Sequence, residues 1–188
     1  MGLIVVTPAA HEVVSTENVK AFARIDHTAE DALIEELIKA AEDLIQRATD
    51  AQLLSATYDL TRDRWPTAKN AIELPLSPVT SVESIKYIDP DGIEQTLSSA
   101  IYELDLGVKP AEIYLKYNGE WPDLRDQRNA VTVRFLAGYA SAAVVPDMLK
   151  TAVKITVTNW LENRESGCTE LPAAAHNICN RYRFRFST

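Results

Sequence analysis

The sequence predicts an α+β protein: a helical bundle built by its N- and C-terminal segments, with a small antiparallel β subdomain inserted between them. Apolar residues recur at helical spacing near residues 33–48 and again near 149–161, the pattern of helices that bury one face. From about Leu54 to Tyr139 the periodicity is extended and is punctuated by proline and by one strong turn, Asp89-Pro90-Asp91-Gly92. These observations divide the 188 residues into N-terminal helices (1–53), a β-rich insertion (54–140), and C-terminal helices with an extended tail (141–188), one structural domain with an insertion.

Taken in order, Ser15 or Thr16 caps a short helix through Val19, Phe22 and Ala23, and Asp26-His27 interrupts it. Thr28 followed three residues later by Asp31 resembles a capping box. A long amphipathic helix follows, with Leu33, Leu37, Ala41, Leu44 and Ala48 as its core stripe and Ile34, Ile38 and Ile45 widening it. Its other face carries Glu30, Asp31, Glu35, Glu36, Glu42 and Asp43, read as a solvated surface whose acids suit a helix N-terminus. No loop organises those carboxylates as cation ligands.

Thr57 to Thr61 alternates as a strand and stops at Trp65-Pro66, and Ala71 to Leu74 is a second extended stretch ended by Pro75 and Pro78. Proline there favours sheet edges and connections. Val82 to Ile88 is the clearest strand, and the Asp-Pro-Asp-Gly turn folds it back into Ile93 to Leu97, since proline presets φ and glycine supplies a positive φ. Ile101 to Leu104, Glu112 to Lys116 and Val131 to Leu136 complete a small sheet or barrel-like subdomain. Pro146 suits the first turn of a second long helix. That helix buries Leu149, Ala152, Val153, Thr156, Val157, Trp160 and Leu161 despite its β-branched residues, so packing must override propensity. The candidate structural core therefore centres on Leu33, Leu37, Leu44, Val153, Val157 and Trp160. Pro172 starts a last helix through Ala175, Ile178, Cys179 and Tyr182.

Composition narrows function. A net charge of -8 and a pI near 4.9 argue against a sequence-independent grip on duplex DNA, which needs many cations on phosphates. The same charge serves solubility, and it also suits a wall past which DNA slides without being held. Cys168 and Cys179 form no CxxC pair, and His11, His27 and His176 are scattered, so the expectation is a reduced cytosolic protein with no metal or other cofactor. The Met-Gly-Leu-Ile-Val-Val start has no basic leader region, and no apolar run reaches the roughly 18 residues that span a bilayer. Neither membrane association nor secretion is expected. The six glycines form no nucleotide loop, and no nucleophile, base or paired-carboxylate signature is present. An enzyme is not expected.

The ending Arg181-Tyr182-Arg183-Phe184-Arg185-Phe186 alternates cations with aromatics. Extended, it would send its rings one way and its guanidinium groups the other, a segment suited to a partner's sheet edge or groove. Two other readings stay open: rings folded back onto the chain's own helices, and rings stacked on nucleic-acid bases.

Several segments in this order resemble one family, the head–tail connector (adaptor, or head-completion) proteins of long-tailed bacteriophages and gene transfer agents. They are Glu17 to Asp26, Asp31 to Glu42, Leu74-Pro75-Leu76-Ser77-Pro78-Val79-Thr80-Ser81-Val82, Tyr87 to Gly92, Trp121-Pro122, Ala137-Gly138-Tyr139-Ala140, Pro146, and Glu162 to Glu165. The resemblance implies a structural virion protein of the neck, assembled in the host cytoplasm. It implies a ring, usually of twelve subunits, docked on the portal with a tail or stopper protein on its far side. Genome DNA would pass through the channel without specific binding, and Arg181 to Phe186 would dock on the portal. The alternatives are a packaging-linked DNA-binding module, against which the lack of a basic recognition helix counts, and a tail-completion protein of similar fold.

Overall fold

A computed structural model describes residues 1–67, 71–163 and 170–183. Its element order is β1 (Gly2–Thr7), α1 (Thr16–Ala23), α2 (Asp31–Thr49), β2 (Ala56–Arg62), β3 (Ile72–Glu73), β4 (Val79–Ile88), β5 (Glu94–Thr96), β6 (Tyr102–Asp105), β7 (Glu112–Leu115), β8 (Val131–Ala137), α3 (Asp147–Glu162) and α4 (Ala173–Tyr182). The fold is α+β, as the sequence predicts. It has two compact units, neither of them a continuous stretch of chain: residues 1–8 with 55–138, and residues 9–54 with the described residues from Tyr139 on.

The helical unit packs α3 against α1, α2 and α4. Leu149, Ala152, Val153, Val157 and Trp160 of α3 meet Ile34, Leu37, Ile38, Ala41 and Ile45 of α2 and Ala175, Ile178 and Cys179 of α4 in one buried cluster. Two polar groups inside are satisfied locally, Thr156 Oγ1 donating to the Ala152 carbonyl at 2.8 Å and Trp160 Nε1 to the Glu170 carbonyl at 3.3 Å. This meets the requirement that buried donors find acceptors. Ser15 caps α1 by accepting the Asn18 N–H at 3.2 Å, and Arg24 closes it in the left-handed conformation at φ 58°.

Three expectations are corrected here. The Thr28/Asp31 pair makes no capping box: Glu30 is the N-cap of α2 without a side-chain cap bond, and the Asp31 carboxylate accepts Lys20 Nζ at 2.7 Å instead. Leu33 is not a core residue, being 36% exposed. The buried stripe of α2 is Ile34, Leu37, Ile38, Ala41 and Ile45, with Leu44 packed at its margin. Glu42 does not lie on the solvated face. It shares the inward side of the helix one turn from Ile38 and Ile45, and it is half-buried.

The β unit has a five-stranded sheet in the order β1-β2-β8-β4-β5 and a three-stranded sheet β3-β7-β6, with every strand pair antiparallel. Strict alternation in β2 and β8 sends Ala56, Tyr58 and Leu60 and Val131, Val133, Phe135 and Ala137 inward. There they join Ile85 and, from the smaller sheet's side, Ile72, Leu74 and Ile113. Tyr58 lies opposite Phe135 in register, and the rings stack at 5.7 Å. The Asp89–Gly92 turn forms as expected. Gly92 takes φ 85° and the Asp89 carboxylate accepts the Ile93 N–H at 2.8 Å. The first residues, assigned with the N-terminal helices on sequence, form β1 and pair with β2.

Candidate assembly surfaces

Of the cationic aromatic ending, Arg181 and Tyr182 close the last turn of α4, and Arg183 is its extended C-cap at φ -67°, ψ 123°. Phe184, Arg185 and Phe186 lie outside the described residues. The alternating geometry expected of an extended strap does not hold at its first ring. Tyr182 is helical and packs against the bundle core, while Arg181 and Arg183 are exposed. Within the described part of the segment the ring is thus packed and the two cations are exposed.

Of the other core candidates, Val153 and Val157 are fully buried and Trp160 nearly so. Cys179 is buried beside them without a disulfide partner, and burial pushes its thiol above the ordinary value, which keeps it protonated and unreactive.

The acidic surface is partly tied down. Arg47 meets Asp43 at 2.8 Å one turn away, Lys39 meets Glu12 at 3.7 Å, and Lys150 meets Asp147 at 2.8 Å. Exposed pairs of this kind contribute little stability. Glu42 behaves differently. Its Oε1 accepts the Val13 N–H at 2.6 Å, and burial first, then the nearby Glu12 charge, pushes its carboxyl up to about 7 against the lowering effect of backbone N–H groups. Helical spacing marks it, because 38, 42, 45 and 49 fall on one face.

In the β unit, Trp65 stacks on Trp121 at 4.5 Å and donates Nε1 to the Pro122 carbonyl at 2.8 Å. An open cleft of about 570 Å³ beside it mixes Arg62, Arg64 and Arg128 with Asp63 and Asp126. With both signs of charge and no enclosure, it suits neither a buried small ligand nor a single class of ion. Among the described residues no group of three or more His, Cys, Asp or Glu side chains is placed to hold a metal ion, and no helix is long and apolar enough to cross a membrane.

Exposed apolar side chains are more telling. Four consecutive residues of β1, Leu3, Ile4, Val5 and Val6, stand open, as do Tyr117 at a loop tip and Phe22, Val144 and Met148 in the helical unit. Lys154 Nζ sits 5.4 Å from the Phe22 ring. Four exposed apolar residues in a row, as in β1, are the kind of surface that another chain can cover.

Three of the segments that carry the family resemblance lie at structural joints. Gly138, at φ 113°, donates its N–H to the Pro78 carbonyl at 2.8 Å, joining two of them. Trp121-Pro122 holds Trp65. A family model described as head completion protein matches residues 12–183. The chain belongs to the head completion protein family. Membership gives it a structural role, completing the head of the virion at the head–tail junction. Among solved structures, a chain from the virion of a native gene transfer agent particle matches with a TM-score of 0.84 at 23% identity, over 100% of this chain and 98% of the other. A chain from the neck of an empty gene transfer agent particle, with C6 symmetry, matches at 0.80 and 23%, and one from the neck of a native particle, with C12 symmetry, at 0.74 and 22%, both over the same shares. At such identities the likeness is one of fold. No curated protein matches the chain.

Proposed function

We propose that this head completion protein is a ring-forming adaptor that sits between the portal and the tail or stopper protein and catalyses no reaction. The single observation that carries the reading is the breadth of the likeness, which spans both units and extends over all of this chain to chains from particle necks with sixfold and twelvefold symmetry. A ring around an exit channel needs subunits that hold each other and leave the genome free. The net charge of -8 serves that second need, because a wall of like sign repels phosphate. In this reading the helices of residues 9–53 and 141–183 build the ring wall and the β unit presents an outer or tail-facing surface. The exposed Arg181 and Arg183, with the segment that follows, reach the portal.

Mixing the purified chain with portal and viewing the product by electron microscopy tests this. Rings seated on the portal are expected. A chain ending at Tyr182 is expected to keep its helical circular dichroism, since Tyr182 completes the packed part of α4, and to lose portal binding at least tenfold. Full binding by the shortened chain would contradict the docking role of the ending; absence of rings with the intact chain would contradict the adaptor itself.

A further inference from the structure

The five-stranded sheet ends on one side in β1, whose sequence Gly-Leu-Ile-Val-Val-Thr has no charge and no proline. Natural edge strands are guarded by charge, proline or shortness, because an open edge recruits another strand. The other outer strands follow that rule. β5 is three polar residues whose Glu94 pairs with Lys86 at 2.7 Å, β3 is two residues long, and β6 carries Glu103 and Asp105. β1 alone among the described strands is long, apolar and unguarded.

Its register sharpens the point. Leu3 lies opposite Leu60 and Val5 opposite Tyr58, so these two continue the core face of the sheet. Leu60 and Tyr58 are buried, yet Leu3 is 40% and Val5 54% exposed. The buried face thus runs off the edge of the sheet, and among the described elements only β2 pairs with its last strand. On the opposite face Ile4 is 57% exposed, and the charge across from it, Asp59, is held by both nitrogens of a fork from Arg134 at 2.8 and 2.7 Å. Both faces of the strand are therefore open and free of net charge.

We propose that β1 is the strand through which each copy joins the next copy in the ring, adding to an extended segment of its neighbour and covering Leu3 and Val5. This inference rests on the ring reading above. The choice of a second copy follows from charge: two chains of net charge -8 repel wherever acidic surfaces meet, so copies approach best along a stripe that carries none. It also follows from symmetry. A ring contact joins unlike surfaces, whereas β1 pairing with another β1 would close a dimer, so the acceptor is a segment of the neighbour other than β1. One strand buries less than the roughly 800 Å² a side of a stable pair, which leaves the free chain monomeric until the portal gathers the copies.

The test uses the full chain assembled on portal. Leu3→Lys with Val5→Lys, which guards the edge, is expected to leave the thermal midpoint within a few degrees and to lower ring incorporation at least tenfold; undiminished incorporation would overturn the proposal. A photo-crosslinking residue, p-benzoylphenylalanine, placed at Val5 reports independently of any folding defect in the lysine variant. Illumination of assembled rings is expected to give a product of two copies of this chain, with the attachment outside the neighbour's β1. Rings that crosslink only to a different protein, only through β1 to β1, or not at all would overturn the proposal and leave the adaptor reading standing. Failure of the unaltered chain to form rings on portal would overturn both.

Discussion

Glu42 is the residue whose chemistry departs most from its position in the sequence. Its carboxyl titrates near 7 in the folded chain against an ordinary value of 4.5, so between those pH values the folded state holds a proton that the unfolded chain has released. The stability from this group is complete below pH 4.5 and is lost as pH rises through 7. The nearby charge that bears on it is Glu12, which opposes its ionisation and itself pairs with Lys39 at 3.7 Å. The unfolding midpoint should accordingly fall between pH 5 and pH 8. Glu42→Gln keeps an oxygen for the Val13 N–H and cannot ionise. It should flatten this dependence and add about 2–3 kcal/mol at pH 8. Denaturant unfolding at the two pH values measures both effects, and a native profile that is flat from pH 5 to 8 would show that Glu42 is ionised in the folded state.

At the scale of elements, the sequence made the strands of the insertion and both long helices legible, because their periodicities of two and 3.6 reflect which face is buried. The azimuth of α2 was harder to read. Its apolar residues cover more than one face, and the stripe through Leu33 and the stripe through Ile34 fit helical spacing about equally well. Contacts with α3 and α4 decide between them. Ile38→Ala should then cost about 2–5 kcal/mol by leaving a cavity, while Leu33→Ala should cost under about 1 kcal/mol. Equal losses in chemical denaturation would contradict the assigned face. β1 was missed because six uncharged residues without alternation carry no signature of an edge strand. Its pairing with β2 depends on residues 50–59 positions away in the chain. The strap was misread at Tyr182 for a related reason: alternation of cations and rings is a strand signal only where no helix extends into it, and α4 runs through that residue.

At the scale of the molecule, among the described residues the chain crosses three times between a helical unit and a β unit, and each unit has a core of its own. Two of the segments that resemble the family, around Pro78 and Gly138, are joined by a backbone hydrogen bond at 2.8 Å, so this part of the resemblance is one of shape. That is why function was legible from motif order and not from any cluster of reactive side chains. It is also why the assembly surfaces, which depend on what remains exposed after folding, were the part the sequence concealed. The central claim is that copies of this chain form a closed ring at the head–tail junction. A reconstruction of the neck of intact particles tests it most directly: the account predicts this fold repeated around the axis, with sixfold or twelvefold symmetry, between portal and tail, and a neck without the chain, or with isolated copies that do not touch one another, would contradict it.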